Sequence, residues 1–313
     1  MKSWTLNTKT KKPRIVDFTF SGTLGDAFLV LCKLSDYHKN TGHNVRLHRQ
    51  SEFIEFDDPI SKLCSLFPYV EYVIPSTYFD SKSGLKRPSF TGDYINTTIS
   101  GISAKEFPHD PHYIDFDPYP ILDLNPASFP KTSLNIGIQL HTGKLATNYK
   151  GLSIEWIKSV ITFLNIHFDK KIEFYIFGTG EGYDDNDLNE LLNLPSTNFL
   201  VGQTSFVDWV SSIVSLDFFI TPEGFSSYVA MSQKIPSLVF YTSDLILLGI
   251  HDKWRNSSVF IDVVRHDILS KAYRYLMRLI NNRSQFWLRL VPCSSGFVLD
   301  IIKQQIKKDK LRL

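Results

Sequence analysis

Three short loops hold the residues of this sequence best suited to chemistry. HTGKLATNYKG (His141–Gly151) sets Lys144 and Lys150 among small and polar residues, and GTGEG (Gly178–Gly182) places three glycines in five positions. TPEGFSS (Thr221–Ser227) runs straight into a helical pattern. Glycine lets a backbone approach a ligand closely, and a helix N-terminus presents free N–H groups and the positive end of a dipole to an anion. A lysine beside such loops adds a mobile cation. Together these features fit a diphosphate that bridges two other groups. Singly, each loop is weak. GTGEG is not the GxGxxG dinucleotide fingerprint, and no acidic residue closes a strand about 20 residues later; GKLATNYKG lacks the GK[ST] ending of a P-loop. Their position on successive strand ends is what gives them weight.

Other polar clusters read more simply. Asp115-Phe116-Asp117 is a D-x-D pair, a pattern that can hold a divalent cation, but it sits in a proline-rich stretch and follows no evident nucleotide-binding strand. Asp184, Asp185 and Asp187 form an acidic run at a helix start, where the macrodipole favours carboxylates. His109 and His112 read as exposed loop residues, and Trp209 as core. No metal site is expected.

The three loops need a scaffold that ends strands beside helix starts. The second half supplies it. Leu134–Leu140 reads as a strand, and Ser153 caps a helix with Ile157, Val160, Ile161 and Leu164 at i, i+3, i+4, i+7 spacing. Ile172–Phe177 is a second strand, followed by a helix over Asp187–Leu194 and a short strand over Phe199–Val201. Ser205 with Asp208 resembles a capping box for a helix through Val214. Leu216–Ile220, a helix from Ser226 to Gln233 and a strand Ser237–Tyr241 complete five strands and four helices. That alternation makes a Rossmann-like sheet, whose ligands sit beyond the carboxyl ends of its strands.

The first half opens as β-α-β-α-β: strand Arg14–Phe20, the turn SGTLGD, a helix from Ala27 to about His38 with Gly42 as its stop, strand Asn44–His48, helix Asp58–Phe67 and strand Val70–Ile74. Between the halves, Pro108, Pro111, Pro118, Pro120, Pro126 and Pro130 break any long helix or central strand. An irregular connection over about Phe107–Pro130 is the natural boundary.

A chain of 313 residues suits two such domains, and 43% hydrophobic with 21% charged residues is ordinary for a globular protein. A net charge of +2 excludes a molecule built throughout as a polyanion binder. Basic residues gather at the ends, however: Lys9, Lys11, Lys12 and Arg14 at one, Lys303, Lys307, Lys308, Lys310 and Arg312 at the other. Such ends suit phosphates on nucleic acid or an anionic lipid surface, or are simply solvated. Cys32, Cys64 and Cys293 form no CxxC pair, so neither a disulfide framework nor a thiolate zinc site is supported. The N-terminus lacks the apolar stretch of a signal peptide, and no apolar run approaches the ~18 residues of a membrane span. The expectation is a cytoplasmic protein, at most peripheral to a membrane surface.

The second half resembles the nucleotide-binding domain of the heptosyltransferase family, inverting glycosyltransferases with the GT-B fold. The stretches that carry the likeness are IGIQLHTG (Ile136–Gly143), YKGLSIEWIKSV (Tyr149–Val160), FYIFGTGEG (Phe174–Gly182), LVGQTSFVDWV (Leu200–Val210) and TPEGFSSYVAMSQKIPSLVFY (Thr221–Tyr241). In the first half, SGTLGDAFLVLCKL (Ser21–Leu34) is similar to the family's glycine-aspartate loop and following helix. The resemblance implies an α/β, GT-B fold: two Rossmann-like domains facing each other across a cleft. Residues 1–130 would bind the acceptor, 131–285 the nucleotide-sugar, and 286–313 would form a helical, basic C-terminal segment.

By that resemblance, Lys150 maps onto the family's phosphate-contacting lysine, Asp26 onto its catalytic aspartate, and Gly224 onto the glycine of the last helix-opening loop. The implied donor-binding residues are Lys150, His141, Gly178, Gly180, Thr204, Glu223, Gly224 and Ser226; Thr23 and Gly25 would serve the acceptor. His141 matches a family histidine and would meet phosphate or acceptor, and Glu223 would accept from ribose or sugar hydroxyls. Asp26 would take the proton of the acceptor hydroxyl during inverting attack, while Lys150 and helix N-termini stabilise the leaving diphosphate. Read from the residues alone, Asp26 caps the helix starting at Ala27. The family's Asn/Asp-x-x-Gly-x-x-His loop is here Thr221-Pro222-Glu223-Gly224-Phe225-Ser226-Ser227, which leaves the sugar unassigned. The implied reaction needs no cofactor beyond its nucleotide-diphosphate-sugar donor. The implied acceptor is a lipopolysaccharide core or other surface glycan or glycolipid. DNA with hydroxymethylated bases is an alternative acceptor, and a nucleotide-sugar epimerase or a non-catalytic nucleotide-binding protein are alternative classes.

Overall fold

The computed structural model describes residues 14–20, 23–49, 57–73, 77–80, 85–88, 95–96, 116–141, 151–178, 185–241, 254, 258–262, 289–290 and 293–309. They fall into two compact units that divide between Leu124 and Asn125, inside the proline-rich stretch. Residues 116–130 form neither helix nor strand.

The smaller unit is built on a parallel sheet. Strand β1 (Ile15–Phe20) leads into α1 (Leu24–Thr41), followed by β2 (Asn44–Arg49), α2 (Asp57–Cys64) and β3 (Val70–Val73). Strands β4 (Thr77–Asp80) and β5 (Leu85–Pro88) form a separate antiparallel pair, and β6 (Ile95–Asn96) adds to β1. The sheet order is β3-β2-β1-β6. Helix α1 begins three residues earlier than the Ala27 start read from the sequence, because Thr23 and not Asp26 is its N-cap. It ends where Gly42 takes the left-handed conformation (φ 68°) and donates its N–H to the His38 carbonyl at 2.7 Å. Helix α2 stops at Cys64, short of the expected Phe67. Pro68 disfavours helical backbone at the residue before it, and tight bonds from Leu66 and Phe67 to the Leu63 and Cys64 carbonyls close the turn. Phe67 is still fully buried and meets Phe28 of α1 edge to face.

The larger unit holds β7 (Leu134–Gln139), β8 (Gly151–Leu152), α3 (Ile154–His167), β9 (Ile172–Phe177), α4 (Asp185–Leu192), β10 (Thr197–Phe199), α5 (Phe206–Val214), β11 (Phe218–Pro222), α6 (Phe225–Ser232), β12 (Ser237–Tyr241), β13 (Ser258–Asp262), β14 (Arg289–Leu290) and α7 (Ser295–Asp309). Six strands pair in parallel in the order β10-β9-β7-β11-β12-β13. All six residues of β7 are buried, as a central strand covered on both faces requires. Leu134, Ile136 and Ile138 pack with Ile157, Val160, Ile161 and Leu164 of α3 and Val298, Leu299, Ile301 and Ile302 of α7 in one core. Each fully buried aliphatic side chain contributes about 1.5–3 kcal/mol. Helix α7 is locked to α3 by a Ser159–Ser295 hydroxyl pair at 2.7 Å and by the Trp156 indole N–H donated to the Cys293 carbonyl at 2.6 Å.

The α/β class with parallel sheets agrees with the sequence reading, and the differences lie at edges. Strand β10 lies at Thr197–Phe199, two residues ahead of the expected Phe199–Val201. The ladder with β9 ends on the bond from Leu200 N–H to the Ile176 carbonyl, and Val201 enters the turn. Strand β11 lies two residues later than expected, because Ser215 and Leu216 close α5 with bonds to Ser212 and Ile213. Asp217 then opens the strand: its Oδ2 accepts from the Asn135 backbone N–H at 2.8 Å and side-chain amide at 3.0 Å. Helix α4 starts at Asp185, two residues early. Strands β4, β5, β6 and β13 were not anticipated.

Candidate active site

Counting strands along the larger unit, its sheet order reads 3-2-1-4-5-6. Connections run one way outward from β7 and, after β10, the other way from β11. That reversal opens a crevice beyond the carboxyl ends of β7 and β11, the place where sheets of this kind bind ligands. From β7 the crevice receives Gln139, Leu140 and His141; from β11 it receives Glu223, Gly224 and the start of α6.

The polar groups at this point are buried. Gln139, His141, Glu223 and Ser226 are each 4% exposed or less. The Gln139 amide donates from Nε2 to the His141 carbonyl at 2.8 Å, and its Oε1 accepts the Ser226 hydroxyl at 3.3 Å. Glu223 Oε1 accepts the Tyr228 hydroxyl at 3.3 Å, and the Tyr228 ring stacks on the fully buried Trp254. Burying a carboxyl group is costly unless its polar atoms are matched, and the Tyr228 hydroxyl supplies one such partner. Ser227 closes the first turn of α6, taking the Gly224 N–H at 3.0 Å and donating its hydroxyl to the Gly224 carbonyl at 2.7 Å.

Gly178 leaves β9 beside this cluster. Its φ of 148° belongs to backbone that side-chain-bearing residues rarely adopt, and a Cβ there would stand 3.4 Å from His141 Nδ1 and from Leu140 Cβ. His141 is also bridged in antiparallel fashion to Gly151. The next loop joins through Gly202, whose N–H reaches the Gly178 carbonyl at 3.0 Å. Ser205 caps α5 as expected, accepting the Asp208 N–H at 3.2 Å, and it donates its hydroxyl to the Asp208 carboxylate at 2.6 Å in place of the backbone arm of a full capping box.

The fold thus brings together His141, Gly178, Glu223, Gly224 and Ser226 of the anticipated donor residues. Thr204 sits half-buried in the turn before α5, two residues after Gly202. Lys150 and Gly180 lie outside the described residues, as do Asp115, His109 and His112. Asp117 makes an ion pair with Lys39 at 3.3 Å. Trp209 is not a core residue: it is half-buried against Phe206 and Phe225, joining the starts of α5 and α6. Gln139 and Tyr228 were missed by sequence reasoning. The only signal for Gln139 was its place as a polar residue at the loop end of the strand.

In the smaller unit, β1 lies between β2 and β6, so the β1–α1 loop stands at the equivalent strand end. Thr23 closes that loop as the N-cap of α1, and Gly25 and Asp26 lie in the first turn of the helix. Asp26 is the third helical residue and not a cap before Ala27; its Oδ2 accepts the Thr23 backbone N–H at 2.7 Å and the Thr23 hydroxyl at 3.1 Å. These two bonds orient the carboxylate through one oxygen. Thiolate chemistry has no support in either unit: burial pushes the Cys64 and Cys293 thiols up to about 12 and raises Cys32 well above its ordinary value, leaving all three protonated at neutral pH.

No protein-family model matches the sequence, and no curated protein sequence does. Solved structures do match. The glycosyl transferase family 9 protein from Veillonella parvula superimposes with a TM-score of 0.59 at 10% identity, covering 96% of this chain and 98% of that one. ADP-heptose lps heptosyltransferase II of E. coli gives 0.54 at 10% identity over 96% and 100%. E. coli heptosyltransferase WaaC with ADP gives 0.53 at 11% identity over 94% and 98%. The chain shares the fold of these glycosyltransferases, the GT-B class that the family resemblance implies.

Proposed function

We propose that this chain is an inverting glycosyltransferase that takes its sugar from a nucleotide-diphosphate-sugar. The observation that carries the reading is the convergence of buried polar residues and the α6 N-terminus at the β7–β11 switch point, within a fold shared with glycosyltransferases. The donor diphosphate lies at the start of α6, near Gly178 and Gly224, where backbone approach is close and first-turn N–H groups lack carbonyl partners within the helix. Lys150 supplies the cation for the phosphates, His141 a ring nitrogen, and Glu223 with Thr204 and Gly180 complete the donor's surroundings. Asp26 is the base. The acceptor hydroxyl gives its proton to Asp26 and attacks the anomeric carbon; the bond from that carbon to the phosphate oxygen breaks, and the nucleoside diphosphate leaves. Charge on the leaving group is met by Lys150 and the helix dipole, so transfer continues after divalent cations are removed by chelation.

The acceptor is a glycan or glycolipid hydroxyl, which fits the basic ends of the chain. No helix among the described residues is long and apolar enough to cross a membrane. Because one similar structure is of a protein with ADP, ADP-sugars head the list of donors to try. The test is release of nucleoside diphosphate in the presence and absence of acceptor. A transferase releases it only with acceptor, whereas interconversion of the donor alone would replace this reading with an epimerase.

A further inference from the structure

We infer that Gln139 is a positioning residue for the donor diphosphate, holding the end of β7 and the start of α6 at the separation the phosphates require. The inference rests on the donor-site reading above. Gln139 closes β7 with its side chain 4% exposed, on the face opposite the one that Ile136 and Ile138 turn to α3. A buried primary amide is destabilising unless its donor and acceptor are matched. Both are matched here, and on different sides of the crevice. Nε2 donates to the His141 carbonyl at 2.8 Å, fixing the chain where it leaves β7. Oε1 accepts the hydroxyl of Ser226 at 3.3 Å, the second residue of α6 and 87 positions away in sequence. Ser226 is itself 2% exposed. One amide therefore sets the distance between the His141 backbone and the helix end that faces the phosphates.

Gln139→Met keeps the volume and removes both bonds; Ser226→Ala removes one. Binding of the wild type and both variants is titrated with the nucleoside diphosphate of the preferred donor and with the matching nucleoside. Gln139→Met should weaken the diphosphate on the order of tenfold, from two hydrogen bonds one of which is long, while the nucleoside changes by less than about twofold. In turnover, the loss should enter the donor KM ahead of kcat. Ser226→Ala should show a smaller loss of the same selectivity, and the double variant should be no worse than Gln139→Met alone, since both break one bridge. If Gln139→Met lowers thermal stability but leaves the diphosphate-to-nucleoside affinity ratio at the wild-type value, Gln139 is structural only and the inference falls. Should Gln139→Met fail to fold, the same ratio in Ser226→Ala decides. A wild type that binds no nucleoside diphosphate overturns the donor reading and this inference with it; wild-type binding with unchanged variants overturns this inference alone.

Discussion

Replacing Gly178 by alanine separates what the backbone demands from what space allows. The added Cβ would lie 3.4 Å from His141 Nδ1 and from Leu140 Cβ and 3.5 Å from His141 Cε1, which is ordinary van der Waals contact. Sterics therefore add little. The cost comes from a φ of 148°, a conformation held at about 1–3 kcal/mol by residues other than glycine. Gly202 is the natural control: its φ of 66° is the left-handed minimum and nothing lies within 4 Å of its Cβ position. Gly202→Ala should thus fall near the low end, about 1 kcal/mol, and Gly178→Ala near the high end. Gly178→Ala should also weaken donor binding, because relaxing its φ would shift the loop beside His141, whereas Gly202→Ala should not. Urea denaturation with linear extrapolation measures the stabilities, and donor titration the affinities. Gly178→Ala unfolding within about 0.5 kcal/mol of the wild type would refute the reasoning, since the native loop would then not require that φ.

Asp26→Asn should lower kcat by about 10²–10⁴-fold with donor affinity unchanged, and should barely alter stability because the amide oxygen still accepts the Thr23 N–H; full activity would remove Asp26 as the base. Lys150→Ala should raise the dissociation constant for nucleoside diphosphate and leave the nucleoside unaffected, as read by calorimetry. Ile161→Ala, at a fully buried position of α3, should cost about 2–5 kcal/mol in denaturant unfolding. Asp36 gives a pH test: burial raises its carboxyl above the ordinary value of 3.8, the Asp117 charge adds to this, and the Asp117 backbone bond opposes it. The raised value stabilises the protonated native state, so its contribution is complete below pH 3.8 and is lost as pH rises through the native value. Asp36→Asn should therefore melt higher than the wild type at pH 7, with the advantage shrinking toward pH 4; an advantage that does not vary with pH would exclude ionisation of Asp36 as its source.

Much of the larger unit was legible because its helices are amphipathic and announced by caps. Ser153 and Ser205 start α3 and α5 as expected, and the runs Ile172–Phe177 and Ser237–Tyr241 have the strand bounds read from the sequence. Short strands were less legible. β6 is two residues long, and β13 follows a stretch with no apolar periodicity, so tertiary pairing and not local pattern defines them. The sheet order was beyond reach, since it depends on which strands pair across the chain. With it went the switch point, and hence Gln139, whose partners are two and 87 positions away. Asp26 carried two meanings in the sequence, cap and base. Its geometry satisfies the reciprocal arm of a capping box while leaving Oδ1 without a role in that box, so the two meanings are compatible. The loop motifs carried a family resemblance, and the matching structures share its fold at 10% identity.

The central claim is that the β7–β11 crevice holds a nucleotide-diphosphate-sugar, and the direct measurement is thermal unfolding of the wild type with ADP-, UDP-, GDP- and CMP-sugars. A donor present at 100 times its dissociation constant adds about 2.7 kcal/mol, which for a unit of this size is a rise of roughly 5–10 °C. One of the three diphosphate donors should produce that rise and the monophosphate CMP-sugar should not. No rise with any diphosphate donor, or an equal rise with CMP-sugar, would contradict the account.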